Sequence, residues 1–253
     1  MSDSDRRIEQ LLAALRDENE ALRDHAVASL GQIGSSVIEQ LIGLFTDDDR
    51  VIREAARQAL VQVGPAAVEP LLEALHDDEW AVREQAAIAL GHLKDVKALP
   101  VLIGAMKYRD GAVRLAAVEA LEKIGDPRAV EGLMEALMDQ TVREEAARAL
   151  KKIPDPRAVD GLLNGLAGEN WIVKRHAAEA LGLIGDRRAL RGLAQALQDE
   201  DWLVRRNAAE SLARLGDRQV VEALVPLLED ENEMVRETVE GTLASLGWVP
   251  PSE

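Results

Sequence analysis

The side chains best suited to chemistry in this chain are four histidines and a large number of carboxylates. His25, His76, His92 and His176 are scattered along the sequence, and no cysteine accompanies them. Without cysteine, disulfides, thiolate nucleophiles and thiolate metal sites are excluded. No serine or histidine lies in a nucleophile-elbow or triad-like context, and no glycine-rich phosphate loop is present. The sequence therefore predicts no catalytic residue, no metal site and no cofactor.

Carboxylates occur in short clusters that invite comparison with calcium-binding loops. An EF-hand loop alternates its oxygen ligands around a central glycine, and these clusters have neither feature. Their side chains can instead accept hydrogen bonds from the free N–H groups at helix starts. We interpret them as helix caps rather than as cation sites. The clusters are TDDD at 46–49, HDDE at 76–79, QDED at 198–201 and EDENE at 229–233.

The charge balance limits the classes of partner. The net charge is −16, whereas binding to nucleic acid depends on Lys and Arg that neutralise phosphates. The start of the chain, MSDSDRRIEQ, lacks the apolar core of a signal peptide. No apolar run approaches the ~18 residues that a membrane helix requires. We expect a cytoplasmic protein that contacts neither nucleic acid nor a membrane.

Residues 186–216 contain the pattern on which the rest of the chain is built. Apolar residues recur there at steps of three and four, first from Ala189 to Leu197 and again from Val204 to Leu215. This spacing predicts two amphipathic helices. The polar QDED stretch separates them, and Gly216-Asp217 combines a helix stop with the next N-cap. The unit is therefore a helical hairpin.

Copies of this hairpin extend along the chain. A basic residue early in the second helix marks each copy, and we call it the reference position. It is Arg23, Arg53, Arg83, Arg114, Arg143, Lys174, Arg205 and Arg236, with spacings of 30, 30, 31, 29, 31, 31 and 31 residues. One hairpin cannot bury its apolar stripes alone, so the copies must stack. The sequence predicts an all-α, right-handed α-solenoid (superhelix) of about eight hairpins.

We expect one domain over residues 1–253, closed at both ends by capping elements. A helix near 5–17 has a single apolar stripe, so its outer face can meet water. The capping repeat near 217–247 has Glu240 where other copies carry small apolar residues, and 248–253 form a short tail in which Trp248 and Pro250-Pro251 can fold back. Pro226 falls inside a predicted helix, where it removes a helix hydrogen bond, and we expect a local kink there.

The repeat resembles the short HEAT-like repeats of the phycobilisome (PBS) lyase type. Residues 125–137, GDPRAVEGLMEAL, and 170–186, NWIVKRHAAEALGLIGD, carry the resemblance most clearly. It implies a solenoid of HEAT-like hairpins. It also implies either a binding and assembly module or a subunit of a bilin lyase, which acts on a phycobiliprotein.

Two enzyme families with a similar architecture are disfavoured by particular residues. Deoxyhypusine hydroxylases bind iron through His-Glu pairs, but the four histidines here precede Ala26, Asp77, Leu93 and Ala177. The HEAT-like alkylpurine DNA glycosylases need a positively charged concave groove, which the acidic composition does not favour.

Two recurring residue types have a structural interpretation. The basic reference residues and the aspartates Asp126, Asp155, Asp186 and Asp217 predict an Arg–Asp ladder between neighbouring copies. Trp80, Trp171 and Trp202 lie three residues before the reference position. They could stack on a ligand, but we interpret the indoles as covers for the turn and for nearby apolar side chains.

The positions one, two, five and nine residues after the reference position lie outside the packing stripe, so we predict that they line a concave binding face. An apolar centre beside charged flanks favours a protein partner over a small molecule. The candidate partner-binding residues are Gln85, Ile88, His92, Leu115, Glu119, Arg148, His176, Arg206 and Glu210.

Two functions follow as hypotheses. The first is a non-enzymatic, monomeric scaffold that binds another protein along this face. The alternative is a bilin lyase or chaperone-like subunit that acts on a phycobiliprotein. In that case the bilin-accepting thiol belongs to the substrate, although the single Phe45 and single Tyr108 leave little aromatic surface for a chromophore.

Overall fold

The computed structural model describes residues 3–153 and 155–249, and these residues form helices and turns without a strand. The chain divides into two compact units, Met1–Asp126 and Pro127–Glu253. The division falls between the fourth and the fifth copy of the repeat, so each unit contains four helical hairpins.

The first unit contains hairpins one to four. The second helices of hairpins one and two begin at side-chain caps, because the Asn19 side chain accepts a hydrogen bond from the N–H of Ala21, and Asp49 accepts one from Val51. Short 3-10 turns precede most first helices. The helices are α1 (Asp3–Ala14), α2 (Glu20–Ile33), α3 (Ile38–Gly43), α4 (Arg50–Val63), α5 (Val68–Ala74), α6 (Trp80–Leu93), α7 (Leu99–Ala105) and α8 (Gly111–Ile124).

The second unit repeats this arrangement in hairpins five to eight. Asn170, Asp201 and Asn232 cap its last three second helices in the same way. The helices are α9 (Val130–Ala136), α10 (Arg143–Lys152), α11 (Val159–Leu166), α12 (Trp171–Ile184), α13 (Leu190–Ala196), α14 (Trp202–Leu215), α15 (Val221–Leu224) and α16 (Glu233–Ser245).

Three turns between hairpins contain a glycine in the left-handed region. Gly125, Gly185 and Gly216 take φ values of 70°, 71° and 66° there, a region that glycine enters without steric cost. Lys94 occupies the same place after α6 with φ 55°, and it is the only non-glycine residue with positive φ among the described residues. Hairpin four therefore begins from a strained backbone position.

Second helices of neighbouring hairpins pack closely because small residues face each other. A Cβ added to Gly91 of α6 would lie 2.6 Å from the Cα of Ala120 in α8. A Cβ added to Gly182 of α12 would lie 2.8 Å from the Cα of Ser211 in α14. The larger core side chains, including Phe45, are fully buried. Glycine at these two contacts thus sets the distance between helices.

The predicted fold class, an all-α solenoid of about eight hairpins, is confirmed. Helix α1 has no buried residue, and its role as a cap stays a prediction. Helix α15 ends at Leu224 and 225–229 form a 3-10 segment, so at Pro226 the α-helix is interrupted where a kink was expected. The single domain over 1–253 stays a prediction. Trp248 donates its backbone N–H to the carbonyl of Leu243, and Pro250-Pro251 lie outside the described residues.

Candidate partner-binding surface

The reference arginines hold the turns inside the hairpins. In hairpin seven, Nη1 of Arg205 donates to the carbonyl oxygens of Asp199 and Glu200 at 2.9 and 3.0 Å. These carbonyls belong to the turn that precedes α14. Arg23, Arg53, Arg83, Arg114 and Arg236 bind two carbonyls of their own turns in the same way, and Nε of Arg143 binds one. The repeated arginine is therefore explained by structure.

The same side chains join neighbouring hairpins, but through different aspartates from those expected. Arg83 pairs with Asp110 at 2.6 Å, Lys174 with Asp199 at 2.8 Å and Arg205 with Asp230 at 2.7 Å. Each of these acids lies in the turn inside the next hairpin. The Arg205 guanidinium also lowers the pKa of the Asp230 carboxyl.

The predicted ladder through the turns between hairpins is wrong for Asp155, Asp186 and Asp217. Asp155 pairs with Arg157, Asp186 with Arg188, and Asp217 with Arg187. The reason is helix length. The reference position stands near the start of a second helix, and the following aspartate lies about 12 residues, or ~18 Å, away beyond its end.

The predicted binding residues differ in exposure. In the first unit His92 is exposed, whereas Ile88, Leu115 and Glu119 are half-buried. Gln85 is buried at 7% exposure. In the second unit Arg148 and Glu210 are exposed, Arg206 is half-buried, and His176 is buried at 7% exposure.

The side chains two residues after the reference position take part in packing, although we expected them to lie outside the packing stripe. Gln85 accepts a hydrogen bond from Nε of Arg57 in the preceding second helix at 3.1 Å. At the same position, Asn207 donates to the carbonyl of Arg175, also in the preceding second helix. Position two therefore serves contacts between copies, and positions one, five and nine carry the more accessible side chains of the face.

In the first unit, five residues at positions one, five or nine after the reference position lie on two neighbouring second helices, α6 and α8. They are Ile88, His92, Leu115, Glu119 and Lys123. We call them the α6–α8 face. Two half-buried apolar side chains thus share a surface with an exposed imidazole and with groups of both charges. This composition is typical of the edge of a protein interface.

The imidazole on the α6–α8 face is neutral near pH 7. Partial burial of the ring lowers the pKa of His92, and the positive charges of Lys123, Arg57 and Lys94 lower it further. The Lys123 ammonium donates to Nε2 of His92 at 3.1 Å. His92 thus acts as a hydrogen-bond acceptor and adds no charge of its own.

In the second unit the corresponding positions form an internally paired polar cluster. Arg175 donates to Nε2 of His176 at 2.9 Å, and its guanidinium lies 5.8 Å from the centre of the Trp171 ring. The His176 ring and the Lys151 ammonium, which lies 2.9 Å from the Glu179 carboxylate, lower the pKa of Glu179 to about 2 although burial opposes this. These side chains mainly form hydrogen bonds and ion pairs with one another.

The indoles cover their turns only in part. Trp80 and Trp171 both remain exposed, and Trp202 is half-buried. Each lies at the first residue of a second helix, next to the acidic turn inside its hairpin.

A groove between two first helices of the second unit was not predicted from the sequence. It lies between α9 and α11 and is lined in part by Met134, Met138, Gly161 and Gly165. The signal in the sequence was a pair of methionines four residues apart, one in α9 and one in the turn after it, together with two glycines at the same spacing on α11.

The described ranges contain no group of three or more His, Asp or Glu side chains placed to hold a metal ion. Within the same ranges, every helix is too short or too polar to cross a membrane.

The comparisons with known proteins agree with the repeat pattern. The family model for HEAT repeats matches residues 2–61, 68–141, 130–198 and 190–251, and the model for the PBS lyase HEAT-like repeat matches residues 52–77. No curated protein matches the chain.

Several solved structures are similar. Kap95p, in its complex with RanGDP, is 15% identical with a TM-score of 0.58, over 94% of this chain and 40% of that one. The CpcE–CpcF complex of phycocyanin lyase from Nostoc sp. PCC7120 is 25% identical with a TM-score of 0.40, over 94% of each chain. Human deoxyhypusine hydroxylase is 22% identical with a TM-score of 0.39, over 85% of this chain and 98% of that one. The Kap95p likeness supports the solenoid fold alone.

The four HEAT-repeat matches together span most of the 253 residues and coincide with the eight hairpins. The chain therefore belongs to the HEAT-repeat family.

Proposed function

We propose that this protein is a non-enzymatic scaffold that binds another protein through outer positions of its second helices. The observation that carries the proposal is the α6–α8 face, where Ile88 and Leu115 are half-buried beside polar and charged side chains. The side chains that hold the hairpins together are paired within the fold, whereas the α6–α8 face offers a partner one exposed side chain, His92, and four that are half-buried.

The α6–α8 face suits a protein surface better than a small molecule. Burial of two apolar side chains supplies affinity, while Glu119 and Lys123 can fix orientation through complementary charges. Because Nε2 of neutral His92 accepts from Lys123, its Nδ1–H can donate a hydrogen bond to a partner without the cost of removing a charge from water. In the second unit we extend the proposal to the accessible charged positions Arg148, Arg206 and Glu210.

The test is affinity capture with wild type and with the Ile88→Asp, Leu115→Asp double variant. Both apolar side chains would then be replaced by carboxylates, which should weaken binding of a captured protein by well over tenfold. Val96→Asp is the matched control, because Val96 is an exposed apolar residue in the turn before α7 and lies outside the face. A partner retained equally by all three proteins would refute the assignment of the face.

A bilin lyase or chaperone-like role is the second candidate. It is supported by the match of residues 52–77 to the PBS lyase HEAT-like repeat. If it is correct, mixing the protein with a bilin-bearing phycobiliprotein or with free bilin should change the visible absorbance. An unchanged spectrum with both would count against this role and leave the scaffold proposal intact.

A further inference from the structure

The groove between α9 and α11 has a regular construction. One wall is a single face of α9 and the turn after it, with Glu131, Met134, Glu135 and Met138 at positions i, i+3, i+4 and i+7. The opposite wall is α11, which contributes Gly161, Asn164 and Gly165, and the volume is ≈ 410 Å³. We call this the α9–α11 groove.

Its floor is apolar and only partly covered. Met138 is 52% exposed, whereas Met134 is 8% exposed and lies over Gly165. A Cβ on Gly165 would lie 2.0 Å from Cε of Met134, so packing inside the protein accounts for this glycine.

Packing does not account for Gly161 in the same way. A Cβ there would lie 3.5 Å from Cγ of Glu131, which is an ordinary van der Waals contact. Glycine is nevertheless one of the poorest helix formers, so alanine would favour α11. The lack of a side chain at Gly161 keeps the groove wide at the point where Glu131 and Met134 face α11.

The charge of the groove selects its ligand. Among the described residues that line it, the charged ones are Glu131 and Glu135, both on the rim formed by α9. A ligand with lysines or arginines at this rim would be attracted, and an acidic ligand would be repelled. Methionine side chains adapt to apolar groups of different shapes, which suits the floor of a peptide-binding groove.

The dimensions match about two turns of a helix. Glu131 and Met138 are seven residues apart, which corresponds to ~10 Å along α9 and the turn after it. We propose that the α9–α11 groove binds an amphipathic helix of a partner protein. Its apolar side chains lie against Met134, Met138 and Gly161, and its lysines or arginines face Glu131 and Glu135. This surface is separate from the α6–α8 face.

The probe is a short synthetic amphipathic peptide with leucines at i, i+3, i+4 and i+7 and lysines on the flanks. A second peptide with glutamates in place of the lysines is the charge control. Fluorescence anisotropy should show the basic peptide binding to wild type at least about tenfold more tightly than the acidic one. No binding of the basic peptide, or equal binding of both, would overturn the proposal.

Two variants distinguish groove binding from surface attraction in general. Met138→Asp should weaken binding of the basic peptide despite adding negative charge, because an apolar contact is lost. Gly161→Ala should raise the urea midpoint, because alanine is the better helix former. It should weaken binding of the basic peptide about fivefold or more, because the added methyl group occupies space that the peptide needs. If Gly161 had only a structural role, its replacement by alanine would not raise stability and weaken peptide binding at the same time.

Gly104→Ala in α7 is the matched control, because a Cβ there meets no atom within 4 Å. Gly104→Ala should raise the urea midpoint and leave binding of the basic peptide unchanged. The Ile88→Asp, Leu115→Asp variant should also bind the peptide as wild type does, which separates this test from that of the α6–α8 face. Tight binding retained by Gly161→Ala and Met138→Asp would show that the peptide lies elsewhere.

Discussion

Two glycine-to-alanine substitutions should change stability in opposite directions. Gly91 and Gly104 both lie near the C-terminal ends of helices in the first unit, in α6 and α7. A Cβ on Gly91 would lie 2.6 Å from Cα and 2.9 Å from Cβ of Ala120, whereas a Cβ on Gly104 meets nothing within 4 Å. The pair thus compares the same chemical change with and without a neighbour.

The magnitude follows from the contact. Alanine improves helix propensity by roughly 0.5–1 kcal/mol at either position, so this gain cancels in the comparison. Carbon atoms pack at about 3.5–4.0 Å, so α6 and α8 must separate by about 1 Å to admit the methyl group. Overpacking of this kind typically costs ~1–3 kcal/mol. Gly104→Ala should therefore be more stable than Gly91→Ala by ~1–3 kcal/mol.

The assay is urea unfolding followed by far-UV circular dichroism, with wild type and both variants at the same concentration. We expect Gly104→Ala to unfold at higher urea than wild type and Gly91→Ala at lower urea. If Gly91→Ala is as stable as Gly104→Ala, the close approach of α6 and α8 does not depend on glycine and the packing argument fails.

The stacking of hairpins could be predicted from the sequence because it follows from local periodicity. Apolar residues at three- and four-residue steps fix the stripes of each helix, and polar residues such as Asn170 mark where second helices begin. An irregularity at Pro226 was predictable for the same reason, since the missing N–H acts within one turn, although a kink was expected and the structure has a 3-10 segment.

The offset between neighbouring copies could not be predicted in that way. Periodicity within a helix does not state how far the next helix is displaced along its axis. The sequence therefore placed Gln85 outside the packing stripe, although its side chain accepts a hydrogen bond from Arg57 of the preceding second helix. The α9–α11 groove was missed for the same reason, because it depends on Met134 of one copy lying over Gly165 of the next.

Three further predictions concern the turns and the polar clusters. Lys94→Gly should raise the urea midpoint by the equivalent of ~1 kcal/mol, because φ of 55° costs lysine more than glycine. Arg205→Ala should lower stability by ~3 kcal/mol in the same assay, because it leaves the Asp230 carboxylate without its guanidinium and frees two turn carbonyls. The last concerns pH. The pKa of Glu179 falls from 4.5 to about 2 on folding, so the ionised carboxylate stabilises the native state above pH 4.5, and this contribution is lost as pH falls towards 2. Because the side chain is partly exposed, solvent screening reduces the contribution to ~1–2 kcal/mol. Glu179→Gln should therefore be less stable than wild type at pH 7, and the difference should shrink between pH 4.5 and 2; a difference that stays constant with pH would show that ionisation of Glu179 is not coupled to folding.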